Sequence, residues 1–93
     1  MEKTHTKTRD NIDRLLRVLD LKATFGCSRA TVYDWIKRGL IPPPVKISER
    51  MSVWPKHEID TIIEARKAGH GNDLILVLVK KLVANRKTAF TGI

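Results

Sequence analysis

The chain has one cysteine, three histidines and no long apolar run in its 93 residues. A single thiol, Cys27, can form no internal disulfide and has no second thiol for a metal site, so it reads as a small turn or core residue. His5, His57 and His70 share no ligand spacing such as i, i+4, and no Ser, His and acid arrangement or glycine-rich phosphate loop is present. These gaps argue against a metal, a cofactor and an enzyme, and the chain length leaves little room for a deep cleft around one small core. No stretch approaches the roughly 20 apolar residues of a membrane span, and Met1-Glu2-Lys3-Thr4-His5 lacks the apolar segment of a signal peptide. A cytoplasmic protein with no membrane partner is expected. There is no internal repeat, and Pro42-Pro43-Pro44 is the one compositionally biased stretch.

Acidic residues are also in short supply: 18 Lys and Arg face 10 Asp and Glu, for a formal charge of +8. Such an excess favours an anionic partner, whether nucleic acid, acidic protein or anionic lipid. It is unevenly spread, with a net +5 on residues 21–56 against +1 before and +2 after. An apolar fraction of 42% beside a charged fraction of 30% suits a folded domain with a heavily charged exterior.

Residues 1–10 are polar and aperiodic and read as a loose tail. Ile12, Leu15, Leu16 and Leu19 recur at i, i+3, i+4 and i+7, which predicts a helix capped by Asp10 or Asn11, in competition with a short strand around Leu16 to Val18. Asp20 to Phe25 forms a candidate short helix with Asp20 as N-cap and Gly26 as the left-handed residue that ends it. Ser28 can cap a second helix, Arg29 to Arg38, closed by Gly39. Val32, Trp35 and Ile36 share its inner side, while Arg29, Ala30, Tyr33, Asp34 and Lys37 lie outward.

The three prolines stop that helix and stiffen the connector. A hairpin follows, with strands Val45-Lys46-Ile47 and Ser52-Val53-Trp54 around the turn Ser48-Glu49-Arg50-Met51. Pro55 suits the first position of a third helix, whose stripe is Ile59, Ile62 and Ile63 and which ends at Gly69. Asn72 or Asp73 can cap a last helix to about Lys87, although Leu74 to Val79 is apolar all round and also resembles a strand. With Leu82 and Val83 this run exceeds what one small core needs, and self-association is one use for it.

Short helix, glycine turn, second helix, hairpin and third helix make a winged helix-turn-helix, mainly α with a small β-hairpin wing, plus an extra C-terminal helix. In that arrangement residues 11–69 form the DNA-binding domain and residues 70–93 a C-terminal helix and tail. The second helix enters the major groove and the wing follows the backbone. Arg29 can reach guanine or phosphate, and Thr31, Tyr33, Lys37 and Arg38 can donate to phosphates or base edges. The N–H groups beside Ser28 add an anion-binding patch. Lys46, opposite in direction to Val45 and Ile47, and Arg50 at the tip can straddle a phosphate strand. Trp35 and Trp54, each beside apolar neighbours, are read as core.

The string GCSRATVYDWIKRGLIPPPVKI, followed by Arg50, Trp54 and the Ile59/Ile62/Ile63 helix, resembles the AlpA family of phage and mobile-element regulators. It carries that family's succession of Gly, any residue, Ser-Arg, Thr-aliphatic-Tyr, basic residue and Gly, Pro-X-Pro-Val-Lys, and Trp at the end of the wing. The resemblance spans roughly Leu16 to Gly69, and Asp73 to Arg86 is similar to a C-terminal helix of some members. It implies a fold related to MerR-type regulators and phage excisionases. It also implies activation of an integrase gene or direct service as a recombination directionality factor. The chain departs from the family pattern at Thr24, two before the turn glycine, where an aliphatic residue is usual. At Asp34 many relatives are basic or polar, and an acid there can weaken phosphate binding or accept from a cytosine amino group.

The expected partners are therefore double-stranded DNA at an integrase promoter or attachment site, an integrase, and further copies of the chain on DNA. Two alternatives stand beside this reading: an interaction adaptor using the C-terminal helix, and a small RNA-binding protein, for which base-stacking aromatics on a sheet are missing.

Overall fold

The computed structural model describes residues 14–89. The tail at 1–10, Ile12 and the candidate caps Asp10 and Asn11 lie outside them. The elements run β1 (Leu15–Leu16), α1 (Val18–Phe25), α2 (Arg29–Lys37), β2 (Val45–Ser48), β3 (Met51–Pro55), α3 (Lys56–Lys67) and α4 (Asn72–Ala89). This is a winged helix-turn-helix with an added C-terminal helix.

Leu15 and Leu16 are strand, which corrects the helix expected from Ile12 to Leu19. Leu16 pairs with Trp54 and Leu15 with Pro55, so β1 joins the wing as a third antiparallel strand in the order β1-β3-β2. The apolar period was misleading because its members have no common partner: Leu16 is buried, whereas Leu15 and Leu19 are 53% and 67% exposed. The short-strand alternative comes closer but ends too late, since Val18 already opens α1.

That start also moves the cap. Arg17, with extended backbone, is the N-cap of α1, and Asp20 sits three residues in, accepting from the Arg17 N–H at 2.8 Å. An acid in the first turn complements the helix dipole without being the cap itself. Gly26 ends the helix in the left-handed region at φ 65°. Ser28 caps α2 as expected, its Oγ accepting from the Thr31 N–H at 3.1 Å.

Strands β2 and β3 extend to Ser48 and Met51, so the turn shrinks to Glu49–Arg50, shorter than the four-residue loop expected. An irregularity between Lys46 and Ser48 breaks the alternation. Val45 is half-buried while Ile47 is 53% exposed, so these two do not share a buried side. Pro55 is the N-cap of α3, one position earlier than expected. Having no N–H, it cannot extend the ladder to β1; the Lys56 N–H does so, donating to the Arg14 carbonyl at 2.7 Å.

Among the described residues two apolar clusters meet at Trp35. One gathers Leu16, Leu21, Val32, Ile41, Trp54 and Ile59, with Cys27 packed against it. The other joins α3 to α4 through Leu40, Ile62, Ile75, Val79 and Leu82. Trp54 is fully buried, and its indole N–H donates to the Pro42 carbonyl at 2.8 Å, tying the wing to the proline connector. Among the described residues no buried side-chain nitrogen or oxygen lacks a partner.

Candidate nucleic-acid interface

Helix α2 presents its polar side because Val32 is fully buried and Trp35 and Ile36 are half-buried behind it. Arg29 and Tyr33 stand one turn apart on the outside, and the Arg29 guanidinium carbon lies 5.7 Å from the centre of the Tyr33 ring. A cation held over a phenol face is oriented without being neutralised. Lys37 is exposed one turn beyond Tyr33, about 12 Å from Arg29 at the rise of an α-helix.

The wing brings Arg50 to the same place. Arg17, Arg29, Tyr33, Glu49, Arg50 and Ser52 line a pocket of about 160 Å³ where the start of α1, the outer side of α2 and the hairpin converge. Among the described residues, three guanidinium groups and one carboxylate surround this small polar space and leave it net positive, suited to an anion of phosphate size. Arg17 was missed at the level of sequence. It looked like one more polar residue on an N-terminal helix, and only the pairing of β1 with β3 carries it to the wing.

The remaining expected residues divide differently. Ser28 and Thr31 engage each other at the start of α2, their hydroxyls 3.0 Å apart in addition to the backbone cap. By helix geometry the N–H groups of Arg29 and Ala30 precede the first intrahelical bond, which runs from the Val32 N–H to the Ser28 carbonyl at 3.1 Å. Arg38 forms an ion pair with Asp34 at 3.0 Å, so the acid that departs from the family pattern offsets a cation at the end of its own helix. Arg38 lines a second pocket, beside Thr24 and Trp35, and not the one shared by Arg17, Arg29 and Arg50. Lys46 is exposed, and its Nζ donates to the Glu49 carbonyl at 3.1 Å, folding it along the wing turn.

Among the described residues no group of three or more His, Cys, Asp and Glu is placed to hold a metal ion, and no helix is long and apolar enough to cross a membrane.

Comparison with known proteins gives a match over the helix-turn-helix, wing and third helix: the family model described as Prophage CP4-57 regulatory protein (AlpA) covers residues 14–67. A protein of Enterobacteria phage P4, named Uncharacterized protein ORF88, is 33% identical over 57 residues, which is 61% of this chain and 65% of that protein. The chain thus spans somewhat less than two thirds of that relative's length. No solved structure matches.

Proposed function

Because this chain belongs to the AlpA family of prophage regulatory proteins, we propose that it is a sequence-specific DNA-binding regulator of a prophage or mobile element. Helix α2 enters the major groove, where Arg29 reads a base edge and Tyr33 and Lys37 contact bases or phosphates. Ser28 and Thr31 support an anion at the start of the helix, Arg38 contacts backbone at its end, and Lys46 and Arg50 hold the wing to a phosphate strand. The protein works in the cytoplasm and is not an enzyme. Its biological role is to favour excision, as a recombination directionality factor beside an integrase or as an activator of the integrase gene. Copies of the chain assemble on the DNA.

The observation that carries this reading is the meeting of Arg17, Arg29 and Arg50 around one small polar pocket between α2 and the wing. Distant parts of the chain converge there on a space that fits one backbone phosphate, next to the exposed side of α2.

Binding to duplex DNA measured against salt is the first test. The slope of log K against log salt is about −0.9 per phosphate engaged, so several contacts give a steep loss that a protein-interaction module does not share. A flat salt response would overturn the DNA reading. Footprinting across the integrase promoter and both attachment ends, paired with excision assays, then separates the roles. Protection confined to the promoter supports gene activation, and protection at the attachment ends supports a direct part in excision.

One observation favours the adaptor reading: Leu74, Leu76 and Val77 on α4 are 43%, 37% and 53% exposed. Replacing all three by polar residues would abolish partner capture on that reading and leave the affinity of a single copy for DNA unchanged on ours.

A further inference from the structure

A larger hollow lies across α2 from the arginine cluster. Trp35 follows Tyr33 by two residues, about 200° around the helix, so the two rings face different surroundings. Behind Trp35 the ends of α1, α2 and α3 and the start of α4 enclose a half-open pocket of about 490 Å³. That volume falls within the roughly 300–1,000 Å³ of sites that hold small organic molecules.

The pocket has a floor and a rim of different chemistry. Phe25 and Trp35 meet edge to face with ring centres 5.6 Å apart, and Ile62 and Ile63 continue the apolar wall. Arg38, Arg66 and Lys67 stand at its edge, and no carboxylate among the described residues lines it. The cations have partners of their own, but exposed ones. Arg38 meets Asp34 at 3.0 Å and Lys67 meets Glu64 at 3.3 Å, each between side chains about half or more exposed, and Arg66 donates to the Asn72 amide oxygen at 2.9 Å. Ion pairs so open to water are weak, and an incoming anion partly shielded by the aromatic wall competes with them.

We infer that this pocket binds an amphipathic organic anion, an aryl or medium-chain acyl carboxylate, with its apolar body on Phe25, Trp35 and Ile63 and its charged head among Arg38, Arg66 and Lys67. The site shares Arg38 with the DNA reading but does not rest on it, because Arg66, Lys67 and the aromatic wall take no part in that reading. It joins the end of α2 to α4, so an occupant ties the C-terminal helix more firmly to the helix-turn-helix.

The test is a fluorescence titration of the full chain with 1-anilinonaphthalene-8-sulfonate, followed by competition with decanoate and with decanol. One saturable site per chain is expected, with decanoate displacing the dye at least tenfold better than decanol. Thr24, Arg66 and Lys67 are exposed, so changing them spares the core. The double variant Arg66→Ala/Lys67→Ala should weaken the dye at least tenfold, and Thr24→Trp should block it by filling the entrance, both at unchanged cooperative thermal unfolding. Absence of a saturable site, equal competition by the alcohol, or unchanged affinity in either variant would overturn the assignment.

Discussion

Arg86 grips Glu58 with both ends of its guanidinium: Nε donates to one carboxylate oxygen at 2.8 Å and Nη2 to the other at 2.7 Å. The same Nη2 donates to the Pro43 carbonyl at 2.9 Å. Glu58 is fully buried and Arg86 only 23% exposed, so α4 is fastened at once to α3 and to the proline connector through a largely desolvated pair.

Removing one partner of such a pair leaves a buried charge unanswered, which costs about 3–5 kcal/mol. Arg86→Ala and Glu58→Gln should each destabilise by that order, read by urea denaturation followed by circular dichroism. The apolar double replacement Glu58→Leu/Arg86→Met should recover most of the loss. Losses below about 1 kcal/mol in both single variants would show that the apolar contacts alone hold α4.

Gly39 and Gly26 both occupy the left-handed region, at φ 80° and 65°, yet should respond differently to alanine. The conformational cost is about 1–2 kcal/mol at either site. A β-carbon at Gly39 would also stand 3.0 Å from the Leu76 Cδ2, whereas at Gly26 it meets nothing within 4 Å. Gly39→Ala should therefore be the more destabilising, and Leu76→Ala should relieve part of the excess in a double-mutant cycle.

Arg17 and Arg29 share a pocket but should differ in what they read. Arg17→Ala should weaken all duplexes alike and reduce the salt slope by about one unit, as expected of a phosphate contact. Arg29→Ala should cost about 1–3 kcal/mol on the preferred site and relax sequence preference, as expected of a base contact. Binding measured on specific and scrambled duplexes at several salt concentrations separates the two. Equal loss on every sequence for Arg29→Ala would make it a phosphate contact as well.

Ser28→Ala removes the cap of α2 and should cost about 1 kcal/mol in stability. The conservative change Ser28→Thr keeps a hydroxyl at the cap and should retain most of that stability. If the alanine variant loses DNA affinity beyond what the lost stability explains, Ser28 contacts DNA in addition to capping; thermal unfolding and binding isotherms on the same samples decide this.

The helix-turn-helix was legible because its signals are local. Ser28 reaches its capped N–H three residues on, Gly26 and Gly39 supply left-handed turns next to the helices they end, and Val32 with Trp35 and Ile36 falls on one helical side. The three prolines and the β-branched runs of the hairpin are equally short-range. The family resemblance rests on the same stretch, and the residues expected on the outer side of α2 are exposed there.

What failed to show were relations between distant parts of the chain. Two leucines in a strand carry too little pattern to oppose a helical period, and only Trp54 and Pro55 across the sheet make them strand. With that pairing Arg17 arrives beside Arg50, and a candidate contact appears that no spacing announces. Arg38, named only as a donor to phosphates or base edges, is exposed, pairs with Asp34 and lines the aromatic pocket, not the one that Arg17, Arg29 and Arg50 share.

Composition, caps and glycine turns thus specified the order of elements and the outer side of α2, since each acts within a turn or two of chain. Tertiary structure alone decided which cations share a pocket, where the hollow behind Trp35 lies, and that Arg86 anchors α4 through Glu58. Those outcomes depend on packing between segments, where the free energy comes from surfaces brought together across the fold and leaves no periodic trace in the sequence.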